Sequence, residues 1–261
     1  MAVPVCEAAN RDDVEEALSF AGDLVSRLGD VATERQGRAI EHRKPDALLS
    51  GSVVTDVDLD LEQAIDDALR RRFPDDGIQG EEGAERPAAD SRHGRTWVVD
   101  PIDGTLNYAR RLGPWSVVVS AWRGQQVESV AVWTDGVLYT AAAGRGATRD
   151  GHQLHLAGEP EPGGVVRAEA RLLPAVQAAG WLPKVIESSA AEIASIADGR
   201  VMGTLRRRGH RRDAHGPALL VSEAGGAVLP LDGAPLSGAS RGLLIAHPRL
   251  VEQLLPLATA G

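Results

Sequence analysis

Hydrophobic positions along the chain alternate between two spacings. From Asn10 to Gly29, Val14, Leu18, Ala21, Val25 and Leu28 recur three or four residues apart. That is the period of an amphipathic helix, and Asn10 with Asp13 behind it suits a cap. Residues 35–52 are polar and irregular. The run VVTDVDLDLEQAIDDALRRRF opens with a short apolar piece and becomes helical, with Leu61, Ile65 and Leu69 on one face and Pro74 as its stop. Asp58 and Glu62 lie four apart on another face. By themselves they read as solvated acids near a helix start, where they suit the dipole. A short apolar-Gly piece then reaches Glu81 and Glu82, and the polar run 84–95, with Pro87 and Gly94, reads as a loop.

The stretch from Trp97 to Tyr108, WVVDPIDGTLNY, organises the rest. An apolar strand runs into Asp100, a tight Pro-Ile turn follows, and Asp103 comes just before Gly104 and Thr105, which open a helix. WSVVVSAW and VESVAVWT read as strands, and Asp135-Gly136 and Asp150-Gly151 as two-residue turns. Trp97, Trp115, Trp122 and Trp133 are expected in the core. Further on, VVRAEA suggests a strand, LLPAVQAAG a helix, KVIES a strand and SAAEIASIADG a helix. GPALLVSEAGGAV suits a helix ending at Gly225-Gly226. AVLPL, an Asp232-Gly233 turn, LLIAH and a last helix follow. Strands and helices interleave, with hairpins in the middle, which predicts a mixed α/β layered fold.

A chain of 261 residues can bury a sizeable core as one large domain or two closely joined halves. Its net charge of -9 argues against a general nucleic-acid binder. It leaves room for an anionic substrate if metal ions supply positive charge locally. A single cysteine, Cys6, excludes an intrachain disulfide, and no Cys/His cluster resembles a zinc site. No signal-peptide pattern opens the chain and no apolar run approaches the roughly 20 residues that span a bilayer. The expectation is a cytoplasmic enzyme with no membrane or nucleic-acid partner.

Four acidic pieces recur in a fixed order: VVTDVD (53–58), GEE (80–82), WVVDPIDGTLNY (97–108) and RDAHG…SEAGG (212–226). In that order the chain resembles the inositol monophosphatase family of metal-dependent phosphatases, from about residue 10 to residue 255. The resemblance implies a layered αβαβα sandwich, of the inositol monophosphatase and fructose-1,6-bisphosphatase type, and a homodimer. The expected division is 1–150, carrying most metal ligands, and 151–261, carrying Asp213 and the specificity residues. It further implies two or three Mg²⁺ ions: Glu81, Asp100 and the Ile102 carbonyl on the first, Asp100, Asp103 and Asp213 on the second, and a weaker third by Glu81. Gly104 and Thr105 would present backbone N–H groups to the phosphate. The Thr105 hydroxyl, paired with Asp58, would orient or deprotonate the attacking water, with Glu81 beside it. Attack would be in line, without a phosphoenzyme. The bland alternative for Thr105 is a simple helix cap.

The chain departs from the family pattern around Asp213. The family usually has Trp before this aspartate; here Arg212-Asp213-Ala214-His215-Gly216 stands. Counting back from Asp213, Arg206 takes the place of the inositol-recognising Glu of the animal enzymes. Arg206, Arg207, Arg208, Arg211 and Arg212 suit an anionic substrate or a second phosphate, or form a solvated face. His210 and His215 flank Asp213 and join Arg206 as candidate specificity residues, with a structural histidine as the alternative. The expected function is Mg²⁺-dependent hydrolysis of a small phosphate monoester of the inositol or sugar (cyclitol) type. Histidinol phosphate and nucleotide 3′-phosphates are alternatives within the family, and a regulatory protein-binding homologue is an alternative of another class.

Overall fold

The structure, a computed structural model, describes residues 11–43, 53–90, 94–206, 211–240 and 242–259, and for Arg43, Asp213, Ala258 and Thr259 only the backbone. Helix α1 (Arg11–Arg35) is followed by strands β1 (Glu41–Arg43) and β2 (Val53–Thr55), which pair antiparallel. Helix α2 (Asp56–Arg72) leads to β3 (Gly77–Gln79), β4 (Glu85–Arg86) and β5 (Arg95–Asp103). After helix α3 (Thr105–Arg110) come β6 (Ser116–Arg123), β7 (Gln126–Thr134), β8 (Val137–Ala142), β9 (Ala147–Arg149) and β10 (His152–Gln153). The remainder holds β11 (Val165–Ala168), α4 (Leu173–Ala178), β12 (Leu182–Lys184), α5 (Ser189–Ala197) and β13 (Gly203–Arg206). Helix α6 (Gly216–Glu223), β14 (Ala227–Pro230), β15 (Leu243–Ala246) and α7 (Val251–Leu254) complete it.

Two large sheets form. One has eight strands in the order β10-β9-β8-β7-β6-β5-β3-β4, and the other five in the order β12-β11-β13-β15-β14. Strand alternation decides what each face buries. On β6 and β7, Val117, Val119, Ala121, Ala131 and Trp133 pack with α1 and α2. Val118, Val130 and Val132 point the other way, into a cluster with α5 and α6. That second cluster also takes Leu243 and Ile245 of the smaller sheet, whose opposite face, with Leu205 and Leu244, is covered by α4 and α7. The layers therefore run αβαβα, as the resemblance implies. Trp97, Trp115, Trp122 and Trp133 are all buried. Among the described residues no helix is long and apolar enough to cross a membrane.

Most local readings hold, and the differences have physical causes. Helix α1 continues past Gly29 to Arg35, because this glycine lies flat against the Trp133 ring and so marks a close approach rather than an end. Its expected cap, Asn10, lies outside the described residues. The Pro-Ile pair after Asp100 is not a turn. Strand β5 runs on to Asp103, and its register against β6 shifts between Asp100 and Asp103, a bulge. KVIES is not a strand: β12 stops at Lys184, and Val185 is exposed beyond it. The 84–95 segment contains the short strand β4. Asp135-Gly136 and Asp150-Gly151 are as expected, with all four residues at positive φ.

The contact at Gly29 yields a stability prediction. A Cβ there would fall 2.2 Å from a Trp133 ring atom. Overpacking costs about 1–3 kcal/mol, against the ~1 kcal/mol that alanine normally gains over glycine within a helix. Gly29→Ala should lower the urea midpoint, and a higher midpoint would show that the ring yields freely.

Candidate active site

Three chain segments meet at one end of β5. The first is the start of α2. Thr55 caps this helix in a reciprocal box with Asp58: its side chain accepts from the Asp58 N–H, while the Thr55 N–H donates to Asp58 Oδ2 at 2.9 Å. The Thr55 hydroxyl donates to the same oxygen at 2.5 Å. Asp58 Oδ1 is left facing α3, where it accepts from the Thr105 hydroxyl at 3.0 Å. Asp58 is only 1% exposed, so the solvated reading fails for it. Burial pushes its carboxyl up to about 6; the hydrogen bonds from Thr55 and Thr105 oppose the rise, and the charge of Glu82 adds to it.

Glu62, one turn further along α2, is buried as well. Its Oε2 accepts the N–H groups of Glu81 and Glu82 at 2.7 and 2.8 Å, and its Oε1 that of Ala84 at 2.7 Å. The solvated reading fails for Glu62 too: the spacing of four from Asp58 put both carboxylates on one face, and that face is buried.

The second segment is the bulged end of β5. Asp100 and Asp103 are both buried, at 2% and 7% exposure. Asp103 reaches across to the start of α5. Its Oδ2 accepts from the Ser188 hydroxyl and the Ala190 N–H, each at 2.7 Å, and its Oδ1 from the Ser189 N–H at 3.1 Å. Ser188 also caps α5 and meets the Ser116 hydroxyl at 3.1 Å. Gly104, at φ +91°, starts α3 as expected. A Cβ there would lie 2.9 Å from the Glu187 carbonyl and 3.0 Å from Ser188 Cβ, so only glycine lets these segments close together. Thr105 Oγ1 is 3.0 Å from both Asp58 Oδ1 and the Ile102 carbonyl, and its one proton serves either acceptor in turn.

The third segment is a π-helical turn, Arg211–His215, that leads into α6. Asp213 lies in it; its carboxylate is outside the described side chains. The turn packs against β5 and β6, and a Cβ on Gly216 would come 2.9 Å from Ser120 Oγ. Arg212 Nε stands 3.4 Å from Glu81 Oε2 and so spans from this turn to the Glu62-held loop. Among the described residues, Arg206, Arg211 and Arg212 do not form one patch. Arg211 stacks 4.1 Å from the Trp122 ring centroid and donates to the Gly124 carbonyl, whereas Arg206 turns to Glu192 and Ser189. Arg207, Arg208 and His210 lie outside the described residues. His215 is buried, with Nε2 2.7 Å from the Ser240 carbonyl.

The arrangement gathers hard oxygen donors, the kind magnesium takes. Among the described residues, no three His, Cys, Asp or Glu side chains are grouped closely enough to hold a metal ion by themselves. Completing the expected set requires the Asp213 carboxylate.

The model of the inositol monophosphatase family matches residues 13–260. Human inositol monophosphatase 2 is 27% identical over 94% of this chain and 90% of its own. The Nus factor SuhB of Salmonella typhimurium is 28% identical over 86% of this chain and 91% of its own. Among solved structures, an IMPase from Thermotoga maritima superposes with a TM-score of 0.84 at 21% identity, covering 94% of this chain and 97% of that one. An IMPase/NADP phosphatase complexed with Mg²⁺ and phosphate superposes at 0.80 and 17% identity, covering 95% and 97%. The fold agrees with these structures, the matched span takes in every segment of the site, and the chain belongs to the inositol monophosphatase family.

Proposed function

We propose that the chain hydrolyses a small phosphate monoester to an alcohol and inorganic phosphate, with Thr105 and Asp58 handling the proton of the attacking water. The observation that carries this reading is the hydrogen bond from Thr105 to the buried Asp58, beside the Asp100–Asp103 bulge. With Asp58 Oδ2 occupied by Thr55, its Oδ1 is held toward Thr105. When the Thr105 hydroxyl turns its proton to that oxygen and away from the Ile102 carbonyl, a lone pair is left to take the proton of a water. As the water oxygen bonds to phosphorus, its proton passes to Thr105 Oγ1 and the hydroxyl proton to Asp58 Oδ1. The ester P–O bond breaks on the opposite side, the departing alkoxide takes a proton from solvent water, and Asp58 returns the proton it received to solvent. Gly104 and Thr105 hold the phosphoryl oxygens through N–H groups that have no partner within the helix.

Glu81, Asp100, the Ile102 carbonyl, Asp103 and Asp213 would hold Mg²⁺. When bound, magnesium would neutralise the phosphoryl oxygens and the leaving alkoxide as a Lewis acid. Glu62 supports this set by fixing the backbone of Glu81 and Glu82. The SuhB relatives favour a second reading, in which the same fold serves through a protein partner.

Phosphate release from a panel of inositol, hexitol, histidinol and nucleotide 3′-phosphates decides between them. Release should need Mg²⁺ and stop with chelator; no release from any member, with Mg²⁺ present, would favour the protein-partner reading. Thr105→Ala and Asp58→Asn should each lower kcat by about 10²–10³. Asp58 must be ionised to accept the proton, so kcat/KM should fall about tenfold per pH unit below pH ~6. A profile flat down to pH 5 would remove Asp58 from the relay. Glu62→Ala should raise the Mg²⁺ concentration for half activity roughly tenfold or more, as loss of an outer-shell partner does. An unchanged requirement would mean that the loop holds itself.

A further inference from the structure

A second group of charges is buried between α5 and the five-stranded sheet, next to the site. Parallel pairing sets Arg167 of β11 opposite Thr204 of β13, and Arg206 follows two residues along. Val166, Ala168 and Leu205 face the outer cluster, so these three side chains project toward α5. There they meet Glu192 and Ser189. Arg206 Nη1 lies 3.3 Å from Glu192 Oε1, and its Nη2 lies 2.5 Å from Ser189 Oγ. Burial pushes the Glu192 carboxyl up, and Arg206, Thr204 and Arg167 oppose the rise.

Among the described residues one carboxylate, Glu192, faces these two guanidinium groups; the next, Asp103, is spent on the start of α5. Arg167 is 94% buried by its 6% exposure, and its Nε and Nη1, like Arg206 Nε, meet no acceptor among the described residues. A surplus buried cation is costly unless an anion joins it. The surplus sits beside the phosphoester end of the site: Ser189, which takes one arm of Arg206, gives its backbone N–H to Asp103. Arg206 is itself partly exposed, with a fifth of its side chain open, so a ligand can reach it.

We propose that Arg206, braced by Glu192 and Ser189 and backed by Arg167, binds a second anionic group of the substrate, a carboxylate or a second phosphate. A guanidinium fork suits either group. The proposal rests on the phosphatase reading and narrows its substrate to doubly anionic monoesters.

The test compares matched substrates on the wild-type enzyme with Mg²⁺. One set is sorbitol 6-phosphate, 6-phosphogluconate and sorbitol 1,6-bisphosphate; a shorter set is glycerol 2-phosphate and 2-phosphoglycerate. In at least one set the member with a second anion should show kcat/KM at least tenfold above the neutral member. The carboxylate and bisphosphate arms tell which anion is preferred. Arg206→Gln should bring that ratio close to one, and Arg206→Lys should keep part of it. Ratios near one in both sets for the wild type would overturn the inference and leave the phosphatase reading standing, whatever the variants do. A wild-type preference that survives Arg206→Gln would overturn the assignment to Arg206. Release from no member would sink the phosphatase reading, and this inference with it.

Discussion

The carboxylate of Asp103 is where the two sheets are joined at the site. It stands on the last residue of a strand in the larger sheet and accepts three donors from the first turn of α5, a helix packed against the smaller one. A buried acid needs such partners, since its desolvation is otherwise costly. The N-terminus of α5 needs an acceptor for N–H groups that its own carbonyls cannot reach. Each requirement answers the other. Gly104 makes the meeting possible by keeping a side chain out of the space between β5, α3 and α5.

The chemistry of the site is dominated by desolvation. Asp58, Asp100, Asp103 and Glu192 are all nearly out of reach of solvent. Three of them are held by different means: Asp58 by two threonines, Asp103 by a helix start, and Glu192 by arginine. Asp58 shows the result most clearly. Its hydrogen bonds offset only part of the burial, so it remains a stronger proton acceptor than an exposed aspartate.

Much of this was legible in the sequence because short-range rules govern it. The strand into Asp100, the helix opening at Gly104-Thr105 and the Asp-Gly hairpins depend on neighbours within a few positions. The three tryptophans of β5, β6 and β7 were legible for the same reason. What was not legible depends on residues far apart. Glu62 looks like a surface acid until the loop 19 and more residues away folds over it. Gly29 looks like a helix stop until Trp133 arrives from another layer. The Pro-Ile pair looks like a turn because Pro favours turns, yet pairing of β5 with β6 on both sides of it draws the pair into a bulge. The arginines near Asp213 look like one cluster in the sequence, and long-range partners pull Arg206, Arg211 and Arg212 in three directions.

Asp58 and Glu62 also share a consequence through α2. One grips the hydroxyl of Thr105 and the other grips the loop of Glu81, and they sit one helical turn apart on the same rod, a spacing of about 6 Å set by the backbone. The rod is anchored by Leu61, Ile65 and Leu69, all buried in the core beneath the larger sheet. The interval between the Thr105 hydroxyl and the Glu81 loop is thus built in as a ruler with its scale fixed before any ligand arrives. The two grips cannot drift apart without bending the helix, and a tilt of α2 would carry both off line together.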